Sequence, residues 1–315
     1  MKKKIHNLKL ITLIIITILA IAVLWGGNHK SAPSEQESRT EESARTQQST
    51  GNTESAESIA STGNTESAES TDSTGNTEGA ESAASTEQAD GASETQTTAR
   101  QIADIKQQPA GTEVDVSGFS EEETAQLFYA TEITDDIFTR INGVSYQENN
   151  EISRENLRYL RVLHIETNGN TYVGEMIVNE SISEDVLEIM QELYRAAYPI
   201  EKMVLIDEYG GDDEASMEAN NTSAFNYRNI SGSGKLSKHS YGLAIDVNPL
   251  YNPYVKNTAD VTICQPQNAL DYMDRSREFS YKIDENDLCY QLFTAHGFTW
   301  GGSWNSVKDY QHFEK

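Results

Sequence analysis

The sequence predicts an α+β fold in which a small antiparallel sheet is flanked by helices. Two apolar segments, Leu160 to Ile165 and Tyr172 to Val178, lie on either side of Asn168-Gly169, a dipeptide typical of a β-hairpin turn. An apolar repeat at helical spacing follows between Ser183 and Pro199. Helices and strands do not alternate regularly along the chain, which favours an antiparallel sheet over a parallel one.

The first 30 residues predict a membrane segment. Four lysines within the first nine residues precede a nearly unbroken apolar run from Leu10 to Trp25. This run is short for a membrane span, which usually needs about 20 apolar residues, and it also fits the apolar part of a secretory signal peptide. No convincing small-x-small cleavage site follows Trp25, so we favour an uncleaved anchor. In both cases the rest of the chain is expected outside the cell.

Residues 31 to 113 predict a disordered acidic linker. The part up to Ala99 consists mainly of small and polar residues and cannot bury enough apolar surface to offset its ordering entropy. A twelve-residue unit begins at Ser49, Ser61 and Ser73, but it has no apolar face that stacking could bury. As a flexible coil, about 70 residues span roughly 45 to 50 Å, which suits a tether. The formal charge of -26, without a basic patch, argues against nucleic acid as a partner.

A folded domain, expected to be monomeric, is predicted from residue 114 to residue 315, a length sufficient for one core. Ser120 and Glu123 form a capping box at the start of a short helix that reaches Phe128. Ser183 is the expected N-cap of the helical repeat after the hairpin. Met203 to Ile206 predicts a short strand. A last helix, carrying an apolar stripe from Leu288, is expected to end at Gly297.

The chain has two cysteines, Cys264 and Cys289. Because the domain is expected in an oxidising compartment, a disulfide between them and a pair of free thiols are both open.

Three side chains near the C-terminus offer metal ligands: His239, Asp246 and His312. Residues 241 to 247 have the alternating pattern of a strand, on which Asp246 shares a face with small residues that leave room for an ion. His239 precedes this strand in a turn, whereas His312 comes from a distant segment. Two imidazoles and one carboxylate suit zinc, and a catalytic zinc site keeps its fourth position open for water.

Asp309 precedes His312 by three residues, so its carboxylate is expected beside the ion, in a helical turn or a tight loop. The Gly301-Gly302 pair allows the backbone to approach closely in this region. These observations predict a zinc hydrolase. Isolated histidines and aspartates are usually structural or surface residues, and the spacing alone leaves that interpretation open.

Four motifs occur in a fixed order along the C-terminal part of the chain. In this order they resemble the zinc peptidase family of D-alanyl-D-alanine carboxypeptidases, over about residues 131 to 315. That family includes vancomycin-resistance carboxypeptidases and dipeptidases and phage L-alanyl-D-glutamate endopeptidases. The motifs are Ser216 to Arg228, Ser237-x-His239-x-x-Gly242-x-Ala244-x-Asp246-x-Asn248-Pro249, Trp300-Gly-Gly-x-Trp304, and Asp309-x-x-His312-Phe313.

The resemblance implies that His239, Asp246 and His312 bind zinc and that Asp309 is the general base. Arg228 matches an arginine that binds the scissile carbonyl or a substrate carboxylate. The implied reaction is hydrolysis of peptidoglycan stem peptides, either as a D-Ala-D-Ala carboxypeptidase or as an L-Ala-D-Glu endopeptidase. Carboxypeptidases of the family often have Glu at the base position, so Asp309 favours endopeptidase action. The expected location is the cell membrane, with the C-terminal domain outside.

Two other functions stay open. A catalytically silent cell-wall-binding module would keep the pocket only as a recognition surface and would be expected to carry a damaged ligand or base, which this sequence does not. A surface stalk would have the repeat tract as its main functional part.

Overall fold

The computed structural model describes residues 87–315. It has the expected α+β architecture, with antiparallel sheets and short helices. The apolar run from Leu10 to Trp25 and the repeats that begin at Ser49 lie outside the described residues. Within residues 87–315, no helix combines the length and the apolar character that a membrane span requires. The membrane segment and the three-part division of the chain therefore stay predictions.

The elements of residues 87–315 fall into one four-stranded sheet, two three-stranded sheets and the helices around them. The α-helices are α1 (Glu87–Gln107), α2 (Glu121–Ala125), α3 (Asp135–Ile141), α4 (Glu180–Arg195), α5 (Asp213–Glu218) and α6 (Leu288–Ala295). The strands are β1 (Glu113–Val114), β2 (Tyr129–Glu132), β3 (Leu157–Ile165), β4 (Thr171–Asn179), β5 (Ala244–Asp246), β6 (Tyr254–Asn257), β7 (Thr262–Gln265), β8 (Thr299–Trp300), β9 (Lys308–Asp309) and β10 (His312–Glu314).

The predicted hairpin is confirmed and forms the centre of the four-stranded sheet, whose order is β1-β4-β3-β2. Its register runs from Leu157 opposite Asn179 to Ile165 opposite Thr171. Gly169 closes the loop at a φ of +84°, in the left-handed region that glycine enters without a steric penalty.

Helix α4 follows β4 directly and packs on β3. Its buried face carries the predicted apolar residues, including Val186, Ile189 and Leu193. The predicted N-cap at Ser183 is wrong, because the Asn179 side chain accepts the hydrogen bond from the Ser181 amide and the cap lies four residues earlier. The capping box of Ser120 with Glu123 is confirmed at α2. The last predicted helix is also confirmed as α6.

Helix α1 lies inside the range expected to be linker, and its C-terminal end joins the main core. Ile102 and Ile105, three residues apart on one face, are 6% and 9% exposed and pack with the apolar side of the sheet. The Arg161 guanidinium also donates a hydrogen bond to the carbonyl of Gln108. The folded core therefore includes residues upstream of residue 114, because these isoleucines supply apolar surface to it.

Two further details differ from the sequence-based expectations. Met203 to Ile206 does not form a strand; Met203 is fully buried in the core, and Ile206 begins a 3₁₀-helix that ends at Tyr209. Cys264 and Cys289 are both free and buried. Cys289 belongs to α6 and lies in the hydrophobic core, so its thiol acts as a small apolar group there.

Two small sheets carry the C-terminal motifs. In the order β5-β10-β8, Phe313 lies opposite Ile245, and both side chains are fully buried. Phe313 also stacks on Phe293 of α6, with ring centroids 4.4 Å apart. The second sheet has the order β7-β6-β9 and pairs Asp309 with Tyr254.

Gly242 connects the motif around His239 to the main sheet. It ends the 3₁₀-helix Lys238–Tyr241 at a φ of +65°, and its carbonyl accepts a hydrogen bond from the Asn179 amide. A Cβ at this position would lie 2.6 Å from the backbone nitrogen of Asn179. Only glycine permits this close approach between the turn and the end of β4.

We therefore expect Gly242→Ala to lower the free energy of unfolding by about 3 kcal/mol or more, through left-handed strain and the clash with Asn179. Gly210 offers a matched control, since it ends the 3₁₀-helix Ile206–Tyr209 at a φ of +66° and a Cβ there meets no atom within 4 Å. Gly210→Ala should cost only about 1 kcal/mol. Chemical denaturation measures both values, and equal losses would contradict the role assigned to the contact with Asn179.

Candidate metal centre

The three predicted ligands come together in the structure. His312 and Asp246 lie directly opposite each other across β10 and β5. His239 lies on the 3₁₀-helix Lys238–Tyr241, where the Ser237 side chain caps the turn by accepting a hydrogen bond from the His239 amide. The three residues are 4 to 9% exposed. Strand pairing thus brings together two ligands that are 66 positions apart, and the turn supplies the third.

The ligand atoms converge on one point. The Nε2 atom of His239 lies 3.2 Å from the Nδ1 atom of His312. The Asp246 carboxylate lies 3.0 Å from His312 Nδ1 through Oδ1 and 3.3 Å from His239 Nε2 through Oδ2. A tetrahedral zinc ion with bonds of about 2.0 to 2.1 Å needs ligand atoms about 3.3 Å apart. The observed spacing fits such an ion.

Hydrogen bonds on the outer side fix the orientation of both imidazoles. His239 Nδ1 lies 2.6 Å from the carbonyl oxygen of Ala224, which can only accept. His312 Nε2 lies 3.2 Å from Oε2 of Glu314. When these two nitrogens donate, the inner nitrogens carry lone pairs that face each other and the Asp246 carboxylate. Such an arrangement needs a cation or a proton between the three groups, and outer partners of this kind are typical of metal-binding histidines.

The charges of the cluster are strongly coupled. Burial alone would raise the pKa of Asp246, but the two imidazoles hold it well below its usual range. Burial opposes protonation of His312, yet the hydrogen bonds to Asp246 and Glu314 raise its pKa to about 10. The cluster therefore favours a positive charge among its three groups, and two imidazoles with one carboxylate form a ligand set that suits zinc.

Asp309 lies beside this cluster, on β9 and not on a helical turn. Its Oδ1 atom is shielded from solvent and has no hydrogen-bond partner within residues 87–315. Burial raises the pKa of Asp309 to about 6, with His312 lowering it and Asp246 raising it further. A shielded carboxylate with an unused oxygen is suited to accept a proton.

The Gly301-Gly302 pair makes a close backbone approach, as predicted, and the partner of Gly301 is Asp309. A Cβ on Gly301 would lie 2.6 Å from the carbonyl oxygen and 2.7 Å from the Cβ of Asp309. A Cβ on Gly302 would clash with the ring of Trp300. The glycine motif thus positions the acid and packs against Trp300, which is buried and donates to the Tyr310 carbonyl.

Arg228 also faces the centre, and it forms an ion pair through its Nε atom with Oδ2 of Asp213. Its backbone amide donates to the hydroxyl oxygen of Ser240, one residue after His239, and the Ser240 hydroxyl donates to the Arg228 carbonyl. These bonds connect the segment that carries Arg228 to the turn that carries the first ligand.

One cleft of about 480 Å³ contains all five predicted site residues. Its wall includes Trp304, whose ring centroid lies 5.3 Å from that of His312, together with Tyr254 and Met217. Of the two tryptophans in the glycine motif, Trp304 lines the cleft and Trp300 serves packing.

Two residues of the site were not predicted from the sequence. Glu314 follows His312 by two residues in a strand, and this spacing places both on one face, so the signal was available. Asp213 is the second. In the structure Asp212 caps α5, whereas Asp213 reaches Arg228, fifteen residues away. That contact depends on the tertiary fold and has no local signal.

Comparison with known proteins bears on this geometry. No curated protein and no solved structure matches the chain. The upstream part of the predicted resemblance, from about residue 131 to residue 230, lies outside the family match. The family model described as D-alanyl-D-alanine carboxypeptidase matches residues 231–315, which contain the three converging ligands and Asp309, and this confirms over that segment the resemblance predicted from the motifs.

Proposed function

We propose that the protein is a zinc peptidase that hydrolyses a peptide bond of peptidoglycan stem peptides. The convergence of His239 Nε2, His312 Nδ1 and the Asp246 carboxylate carries this proposal, because the outer nitrogens of both imidazoles are already engaged. The family match of residues 231–315 supports peptidase chemistry. A zinc ion held by His239, Asp246 and His312 would supply Lewis acidity and would make water a better nucleophile at neutral pH.

The protein side chains divide the remaining work. Asp309 accepts a proton from the attacking water and returns it to the leaving amine, a role for which its shielded Oδ1 atom is available. The two terminal amino groups of Arg228 remain as donors, because the ion pair to Asp213 uses Nε. They stabilise the oxygen of the scissile carbonyl as negative charge develops on it. Trp304 closes one side of the cleft and limits the access of bulk water.

The expected setting is the outer face of the cell membrane. The basic and apolar N-terminus supports an anchor, and the acidic repeat tract supports a tether that lets the peptidase reach nearby wall polymer. A catalytically silent wall-binding module is the alternative. The intact ligand set and the retained acid Asp309 favour catalysis over this alternative.

Incubation of the protein with defined muropeptides, with and without a chelator, tests the proposal. Product masses identify the bond that is cut, and restoration of cleavage by zinc after chelation establishes the metal requirement. Binding of the muropeptides without any metal-dependent cleavage would support the silent module.

Asp309→Asn removes the proton acceptor and preserves the shape of the side chain. We expect kcat to fall by about 10² to 10⁴, since general-base catalysis contributes this much. Zinc content should stay at one ion per chain, because Asp309 is not one of the three converging ligands. Kinetics and metal analysis on the same preparation check both expectations. A variant that turns over at the wild-type rate would exclude Asp309 as the base.

His239→Ala and His312→Ala each remove one ligand. We expect both variants to lose stoichiometric zinc after dialysis against buffer, as measured by elemental analysis. His296→Ala serves as the matched control, because His296 also contacts a carboxylate, that of Asp185 at 3.2 Å, yet does not line the cleft. Retention of one zinc ion in either ligand variant would contradict the ligand assignment.

Glu314→Ala tests the outer hydrogen bond to His312. We expect zinc affinity to fall by about 10 to 100-fold, the usual cost of removing such a partner. Glu314→Gln keeps an acceptor oxygen at the same distance and should recover part of the affinity. Competition with a chromophoric chelator measures all three dissociation constants. If both variants bind zinc as tightly as the wild type, Glu314 has no role in orienting His312.

A further inference from the structure

The ion pair between Arg228 and Asp213 affects which substrates the cleft accepts. An arginine near a peptidase centre can bind either a neutral carbonyl oxygen or a substrate carboxylate, and the two choices make different electrostatic demands. A carboxylate is bound best by a cation whose charge is not already compensated. Here the Asp213 carboxylate is in direct contact with the guanidinium.

Asp213 is held firmly in this position. Its Oδ1 atom accepts a hydrogen bond of 2.8 Å from the side-chain amide of Asn226. Asn226 is 4% exposed, its side chain also donates to the Gly211 carbonyl, and its backbone amide donates to the carbonyl of His239. Both oxygens of Asp213 therefore have partners. One of them, Asn226, is buried against the turn that carries His239. Displacement of Asp213 by an incoming carboxylate would break this network.

The rest of the cleft offers no replacement for a compensated Arg228. Among the described residues that line it, Lys238 is the other side chain with a permanent positive charge. Its Nζ atom lies 3.3 Å from the Lys315 carbonyl oxygen, and its charge helps to lower the pKa of Glu314. Four carboxylates line the same cleft, against the two positive charges of Arg228 and Lys238. A divalent ion would therefore only balance the remaining negative charge. A carboxylate on the substrate would meet no surplus of positive charge.

We propose that Asp213 sets the specificity of the cleft, so that it favours a substrate whose residue just after the scissile bond carries a neutral amide or peptide group in place of a free α-carboxylate. The inference rests on the proposed function and deepens it. It assigns the cleft to substrates in which the α-carboxyl group of this residue is amidated or is in peptide linkage, and it disfavours both a terminal D-Ala and an unamidated D-Glu at this position. Arg228 then donates to a neutral carbonyl oxygen, while Asp213 repels a carboxylate.

Two matched pairs of peptides test the proposal. The first is an N-acetylated stem pentapeptide that ends in D-Ala-D-Ala, as the free acid and as the C-terminal amide. The second is L-Ala-γ-D-Glu-L-Lys, with the α-carboxyl group of D-Glu free or converted to the carboxamide. Within each pair the only difference is one α-carboxylate on the residue after the bond of interest, so the comparison applies whichever bond is cut.

For the pair that the zinc-loaded protein cleaves, we expect kcat/KM to be about ten-fold higher for the amide than for the acid, since like-charge repulsion in a partly exposed site is partly screened. The preference should shrink as ionic strength rises. In Asp213→Asn, kcat/KM for the acid relative to kcat/KM for the amide should increase about ten-fold, mainly through a lower KM for the acid. Asparagine keeps an acceptor oxygen for Asn226, so the change removes the negative charge beside Arg228 and preserves the hydrogen bond with Asn226.

Glu218→Gln is the matched control, because it removes one negative charge from the exposed end of α5, outside the cleft lining. It should leave the ratio of amide to acid unchanged. Binding of the same peptides to zinc-loaded Asp309→Asn, measured by calorimetry, gives the ratio independently of turnover. A wild-type ratio of one or below, or a ratio that Asp213→Asn does not lower, overturns the proposal. If no peptide is cleaved with zinc present, the proposed function fails, and the binding ratio still tests the charge argument.

Discussion

The antiparallel pairing of β5 with β10 is the constraint on which the metal centre depends. It places His312 opposite Asp246, and a slip of one residue would turn one of these side chains to the other face of the sheet. The register is fixed by the next pair along, Phe313 and Ile245, because both are buried in the core and cannot exchange places with polar neighbours. The buried side chains on one face of β5 and β10 thus determine the position of His312 and Asp246 on the other face.

Local sequence patterns were sufficient to predict the structural elements that depend on interactions between nearby residues. The hairpin around Gly169 and the capping box at Ser120 depend on turn chemistry and on side chains a few positions apart, and both are present. The N-cap of α4 was misplaced because β4 continues directly into the helix, so that Asn179 serves both as the last strand residue and as the cap. Met203 to Ile206 does not form the expected strand. A short apolar run indicates burial, but burial alone does not distinguish a strand from a turn that faces the core.

The candidate site divides in the same way. Two imidazoles and one carboxylate made His239, Asp246 and His312 candidates for zinc, and the resemblance of the surrounding motifs to a zinc peptidase family selected them over a structural interpretation. The residues that contact these ligands were harder to predict from the sequence. Glu314 had a period-two signal, whereas the contact of Gly301 with Asp309 and the pairing of Asp213 with Arg228 exist only after the chain has folded. Sequence reasoning predicted the members of the candidate site, but it could not determine which residues hold them in place.

The residues that position the candidate site also explain how a cleft lined by four carboxylates can be stable. His312 lies between Asp246 and Glu314, and Arg228 lies against Asp213, which Asn226 holds in turn. Because Asn226 donates from its backbone to the His239 carbonyl, the arginine pair and the metal turn share one scaffold. Asp213→Asn keeps an oxygen that can accept from Asn226, so we expect it to change the charge beside Arg228 without moving the turn that carries His239. Under the proposed function, we therefore expect substrate selectivity and metal binding to be separable by mutation in this cleft.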